Sequence, residues 1–147
     1  MRISSRCILI ENNNVLLIYR ERDEEKYYVF PGGGIEEYET KEECIKRECK
    51  EELGIDVEIK KYVYEIKGKD FIQHFFLVTR INGKVGTGNP EEYDVNRQGG
   101  IQIPVFVSID KLKDLNVVSS TIVYQFLKDY REFGSNLDSI SKIIEDY

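Results

Sequence analysis

Three glutamates, Glu48, Glu51 and Glu52, follow Arg47 directly or closely in a short segment between Thr40 and Gly54. On a helix turning about 100° per residue they form one stripe within roughly 100° of arc. Like charges four apart on a helix cost about 0.2–0.5 kcal/mol per pair, and these sit at the negative end of the helix dipole. Arg47 reaches Glu51 at i+4, but one guanidinium does not neutralise three acids. A hard divalent cation does, and Mg²⁺ is typically held by one or two carboxylates with waters and substrate phosphates. The competing reading is a solvated acidic face, which this segment alone does not exclude.

The element that must carry these acids is bounded by its own residues. Thr40 and Glu43 have capping-box spacing, so the helix starts near Lys41. Gly54 stops it after Leu53, giving a rod of about thirteen residues. Ile45, Cys49 and Leu53 form a narrow apolar stripe that belongs to the core. Upstream, Pro31-Gly32-Gly33-Gly34 breaks an extended run, and glycines there let the backbone approach a ligand or aim a carbonyl at a metal. A plain flexible turn is the simpler alternative.

The wider spacing is more specific. Gly33, Glu39, Arg47-Glu48, Glu51-Glu52 and Gly54, with Ile55 after the last glycine, resemble the signature box of the Nudix (MutT-like) hydrolases at all seven fixed positions. At usages near 7% per residue type such a match arises by chance on the order of 10⁻⁸ per starting position. Cys49 stands where an aliphatic residue is usual, and Tyr38 where many members carry glycine. The resemblance implies an α/β fold, a Nudix-type α/β/α sandwich with a mixed sheet, filling residues 1–147 as one domain. It implies Glu48, Glu51 and Glu52 as metal ligands and catalytic acids, with Glu48 as base or ligand and Arg47 orienting a glutamate. A carbonyl from the glycine turn, at Gly32 or Gly33, completes the metal site. Gly33 and Gly34 face substrate, and Glu39 is a structural or outer-shell partner of the loop. Glu91 or Glu92 would add a further acidic ligand from a later loop, where Tyr93 could stack on a base or ribose.

Composition is consistent with this. The chain has 147 residues, 41% hydrophobic and 33% charged, with a net charge of −6. That charge and the lack of any basic run disfavour polymeric DNA or RNA, while an acidic protein must recruit cations locally to hold an anionic small molecule. No apolar run is long enough to span a bilayer and no signal-peptide layout opens the chain, so the expectation is a cytoplasmic protein without membrane contact. Cys7, Cys44 and Cys49 read as reduced thiols.

Along the chain, Arg6–Ile10 and Val15–Tyr19 read as strands joined by a hairpin at Asn12-Asn-Asn14. A charged connector, Arg20 to Lys26, precedes a strand from Tyr27 to Phe30. Ile55–Lys67 and Phe71–Arg80 are strands around a turn at Gly68-Lys-Asp70, and the lone histidine, His74, reads as a half-buried packing residue. Residues 82–100 form a long polar loop. Ile101–Val107 is a strand in which Pro104 argues for an edge or a bulge. A short capped helix follows from Ser108, then a helix from Ser119 or Ser120 to Phe133 with Ile122, Phe126 and Tyr130 inward, ended by Gly134. A last helix, Asn136–Tyr147, packs on the domain or on a second subunit, which would make a homodimer.

The expected activity is Mg²⁺- or Mn²⁺-dependent hydrolysis of a pyrophosphate linkage in a nucleoside diphosphate linked to a group X, with a nucleotide as the small-molecule substrate. The alternative is a catalytically silent module of the same fold that binds or senses nucleotides. The marker residues that the resemblance associates with ADP-ribose or dinucleoside polyphosphates are absent near Asp70, Phe71 and Ile72, which leans towards nucleoside triphosphates or an unassigned substrate.

Overall fold

The computed structural model describes residues 1–86, 100–139 and 142–146. Strands β1 (Arg2–Glu11) and β2 (Asn14–Arg22) form the expected hairpin, with Asn12 and Asn13 both left-handed at φ 51° and 60°, a conformation asparagine tolerates. The hairpin is paired only at Ile10/Val15 and Glu11/Asn14. Beyond it the two strands diverge. β1 runs parallel to β6 (Phe71–Gly83), and β2 runs antiparallel to β3 (Glu25–Val29) and β7 (Ile101–Ser108). β5 (Ile55–Gly68) pairs β6 antiparallel and a last strand, β8 (Lys142–Asp146), lies beyond it, so the order is β3-β2-β1-β6-β5-β8, with β7 on β2. As expected for a strand with Pro104 opposite Ile18, β7 has a partner on one side only among the described residues.

Alternation along β1 loads both faces. Cys7 and Leu9 pack with Ile45, Cys49, Leu53 and Ile55 on one side, and Ile8 packs with Phe75, Ile122 and Phe126 on the other. Helix α1 (Lys41–Glu48) therefore covers one face and α2 (Ser120–Phe133) the other, the α/β/α layering with a mixed sheet that was expected.

Five local expectations are corrected. The charged connector is a second hairpin: β2 runs on to Arg22, Asp23 and Glu24 turn with positive φ, and β3 opens at Glu25. Its charges alternate across the pair, with Lys26 3.9 Å from Glu21, and the tyrosines Tyr19 and Tyr28 pack at 5.1 Å, so period-two pairing overrides the polar composition. The three glycines do not simply break a strand. Gly32–Gly34 is itself a short strand, β4, paired with Ser4–Arg6 on the flank of β1 that β2 leaves.

The helix keeps its limits but not its uniformity, since Cys49–Leu53 is a π turn ended by Gly54 at φ 79°. Among the described residues the last helix is absent. A 3₁₀ turn, Gly134–Ser139, leads to β8 (Lys142–Asp146), parallel to β5 from Tyr64/Lys142 to Gly68/Asp146. β-Branched Ile143 and Ile144 suit an edge strand better than a helix, and β5 offers the unpaired edge. The helix face expected to pack on the domain or on a second subunit does not form among the described residues. Elsewhere, α2 ends at Gly134 as expected, and the segment after Ser108 is a 3₁₀ helix, Ile109–Asp114, without a side-chain cap. Among the described residues no helix is long and apolar enough to cross a membrane.

Candidate active site

The site is built where α1 meets β1 and β4. Thr40 accepts from the Glu43 amide at 3.0 Å while Glu43 accepts from the Thr40 amide at 2.9 Å, so the capping box fixes the helix start. Ile45, Cys49 and Leu53 are fully buried and lock its rotation against the sheet. The π turn follows Glu48 and holds Glu51 and Glu52, and such insertions are frequent at functional sites. The carboxylates are accordingly divided. Glu48 and Glu51 lie with Arg47, whereas Glu52 points into the sheet and is 4% exposed.

Arg47 organises the first group. Its Nε and Nη2 donate to the two oxygens of Glu39 at 2.6 and 3.0 Å, a bidentate pair. Its Nη1 donates to Glu48 Oε1 at 3.0 Å and Glu51 Oε2 at 3.2 Å, and Nη2 also reaches the Gly34 carbonyl at 3.2 Å. The arginine thus orients two glutamates, but its strongest pairing is with Glu39. That pairing first, and a backbone bond from the Glu36 amide at 3.0 Å, bring the Glu39 carboxyl down to about 2. Glu39 is the structural partner of the loop that the resemblance implied.

Glycine has a reason at two positions. A Cβ on Gly32, whose φ is 148°, would overlap the Ser5 carbonyl, and one on Gly33 would overlap the Glu48 carboxylate. The glycine strand is held from the helix side by Cys44, whose Sγ lies 3.5 Å from the carbonyls of Gly33 and Gly34. Burial, then the negative charge of Glu39, raises that thiol to about 11, so it stays protonated and donates.

Glu52 Oε1 accepts from the Gly32 amide at 3.1 Å, and Arg20 Nη2 stands 3.9 Å from Oε2. Burial pushes its carboxyl up to about 7, against the pull of the Gly32 amide, Arg20 and Arg6. Arg6, whose Nη1 donates to the Phe30 carbonyl at 3.1 Å, lies on the same side. Sequence reasoning placed no function on Arg6, Arg20 or Cys44.

No three histidine, cysteine or acidic side chains stand close enough to grip an ion among the described residues. The donor chemistry nevertheless fits a hard cation. Arg47 occupies one oxygen each of Glu48 and Glu51, leaving Glu48 Oε2 and Glu51 Oε1 without a hydrogen bond among the described residues. Glu52 is a desolvated carboxylate of the kind a bound cation stabilises. Gly32, Gly33 and Gly34 line the same corner, while Glu91, Glu92 and Tyr93 lie outside the described residues. His74 is a packing residue as expected, bonded to the Tyr62 hydroxyl. All three cysteines are buried free thiols.

Where β1 and β2 diverge, a cleft of about 940 Å³ opens beside Glu52, with Arg6 and Arg20 in its wall and Tyr27, Phe71, Gln73 and Asn116 further out. That volume is within the range of small-molecule sites.

The chain is 32% identical over 85 residues to an 8-oxo-dGTP diphosphatase from Proteus vulgaris, an alignment covering 54% of this chain and 76% of that one. It is 33% identical over 100 residues to an ADP-ribose pyrophosphatase from Methanocaldococcus jannaschii, covering 60% and 59%. Its fold superposes with a TM-score of 0.67 on the crystal structure of an ADP-ribose pyrophosphatase from Streptococcus suis, at 16% identity and covering 99% and 98% of the two chains. The NUDIX domain model matches residues 1–126, a span that takes in the glycine strand, the glutamate helix and both walls of the cleft. On that match the chain belongs to the Nudix family.

Proposed function

We propose that this Nudix pyrophosphohydrolase cleaves the pyrophosphate linkage of a nucleoside diphosphate joined to a group X, using Mg²⁺ or Mn²⁺ held by Glu48, Glu51 and Glu52. The observation that carries the reading is the pair of unbonded carboxylate oxygens on Glu48 and Glu51 beside the buried carboxylate of Glu52. A carbonyl of Gly32 or Gly33 is a further candidate donor to the ion. Such an ion neutralises phosphate oxygens and lowers the pKa of a bound water.

The chain's own residues do the rest. Arg47 holds Glu48 and Glu51 at fixed orientation, and Glu39 holds Arg47. Gly33 lets the Glu48 carboxylate lie against the backbone, where Oε2, the oxygen not bonded to Arg47, can take a proton from the attacking water. Arg6 and Arg20 bring positive charge to the inner end of the cleft, where the anhydride must sit to meet the glutamates. Water adds to phosphorus, one anhydride P–O bond breaks, and both products leave as phosphates. Whether Glu48 serves as base or ligand is decided by which role survives in Glu48→Gln.

The similarity to an 8-oxo-dGTP diphosphatase, with the markers for the other two substrate classes absent, leaves a nucleoside triphosphate or a substrate outside those two classes. The test is incubation with a nucleotide panel in Mg²⁺, in Mn²⁺ and in chelator, with products separated by chromatography. Products that require the ion support the proposal. Calorimetric nucleotide binding with no product from any panel member would instead identify a sensing module.

A further inference from the structure

The cleft beside Glu52 is charged along its length, not only at its inner end. Arg2, Ser4 and Arg6 alternate on one face of β1 and all line it, so the Cα atoms of the two arginines are about 13 Å apart at a strand rise of about 3.3 Å per residue, while the Arg2 charge still acts on Arg6. Arg6 lies with Arg20 and Glu52 at the inner end. Arg2 marks the outer end, where its own amide is tied to the Asp70 carbonyl at 3.0 Å. Its guanidinium makes no hydrogen bond or ion pair among the described residues. Lys26 lines the opposite wall from β3.

Between the two ends the lining is uncharged: Gln73 and Asn116 offer amides, and Tyr27 and Phe71 offer rings. The acidic lining residues are Glu25 and Asp146, against Arg2, Arg6, Arg20 and Lys26. A surplus of cations in one cleft of a chain with net charge −6 points to an anionic ligand. Arg20 Nε is also the only buried side-chain polar atom without a partner among the described residues, and an orphaned donor of that kind implies a group not yet present.

A pyrophosphate at the glutamates accounts for the inner cations, and an uncharged base or sugar suits the amides and rings. Neither accounts for an arginine at the far end. We propose that the cleft reads substrates with two separated anionic groups, the scissile pyrophosphate at Arg6 and Arg20 and a phosphate monoester, remote from it, at Arg2. The proposal rests on the pyrophosphohydrolase reading and narrows its substrate class.

Matched pairs that differ by one such phosphate test it: NADPH against NADH, and coenzyme A against its 3′-dephospho form. The measurement is kcat/KM for each compound with the wild-type protein, Arg2→Gln and Arg2→Lys. A charge-assisted contact predicts a preference of about tenfold for the phosphorylated member of at least one pair. Arg2→Gln should erase that preference through KM, leave turnover of the unphosphorylated member unchanged, and be partly rescued by Arg2→Lys. Equal use of both members of each pair, or a preference that survives Arg2→Gln, overturns it. So does turnover of nucleoside triphosphates alone, an outcome that leaves the hydrolase reading intact. Failure to hydrolyse any nucleotide would refute that parent reading instead.

Discussion

At the scale of single residues, the site is a set of acids kept apart by one arginine and one amide. Arg47 gathers Glu48 and Glu51, the Gly32 amide takes Glu52, and each arrangement depends on a glycine whose missing side chain makes room. Gly33→Ala presses on the end of a flexible glutamate and not on backbone. It should cost about 1 kcal/mol or less of stability and, because the Glu48 carboxylate is displaced, about 10²-fold in kcat; thermal melts and steady-state kinetics together check the split. Glu39 provides a pH test. Its carboxyl is lowered to about 2 in the folded chain, chiefly by Arg47, so the stabilisation is complete above the ordinary glutamate pKa of about 4.3 and is lost as pH falls towards 2. Glu39→Gln should lose about 1–3 kcal/mol at neutral pH and flatten that acid limb in denaturant melts. The seven signature positions were legible because they are fixed by spacing alone. Arg6, Arg20 and Cys44 were not, because their roles arise from strands that meet only in three dimensions.

At the scale of elements, the helix limits could be read from Thr40, Glu43 and Gly54, since caps are local chemistry. The π turn at Cys49–Leu53 could not, because the choice between i→i+4 and i→i+5 bonding is made by packing against the sheet. The same holds at the C-terminus. The helix expected over Asn136–Tyr147 was overruled by the open edge of β5, where β8 docks. That docking has a polar anchor. Asp129 on α2, fully buried, accepts from the Tyr64 hydroxyl on β5, from Gln125 at 3.2 Å, and from Lys142 Nζ on β8 at 2.6 Å. Burial alone would raise its carboxyl, but bonds from Lys142, Tyr64 and Gln125 outweigh it and hold the group below its ordinary value. Removing one partner of a buried charged pair costs about 3–5 kcal/mol, and the partial exposure of Lys142 lowers that figure. Asp129→Asn should therefore lose stability above about pH 4 and speed amide exchange in β8 first, with the difference from wild type shrinking as pH falls below that.

At the scale of the whole molecule, the layered fold follows from strand alternation on either side of the glutamate helix, which the sequence patterns displayed. What they concealed was the divergence of β1 from β2. A hairpin paired at only two positions leaves room for β4 on one strand and for the cleft between them, and nothing in the local sequence of either strand announces it. The cleft brings basic residues to buried Glu52, so an ion there has to act on folding as well as on chemistry. Mg²⁺ or Mn²⁺ at 100 times its dissociation constant should add about 2.7 kcal/mol to the wild-type stability, and markedly less to Glu48→Gln or Glu51→Gln, in melts without any nucleotide. The most direct measurement is the Mg²⁺-dependent rate of nucleotide pyrophosphate hydrolysis for the wild-type chain and Glu52→Gln side by side. A folded variant slowed by about 10²-fold or more is the predicted result. A variant that retains the wild-type rate, or a wild-type rate indifferent to chelator, would contradict it.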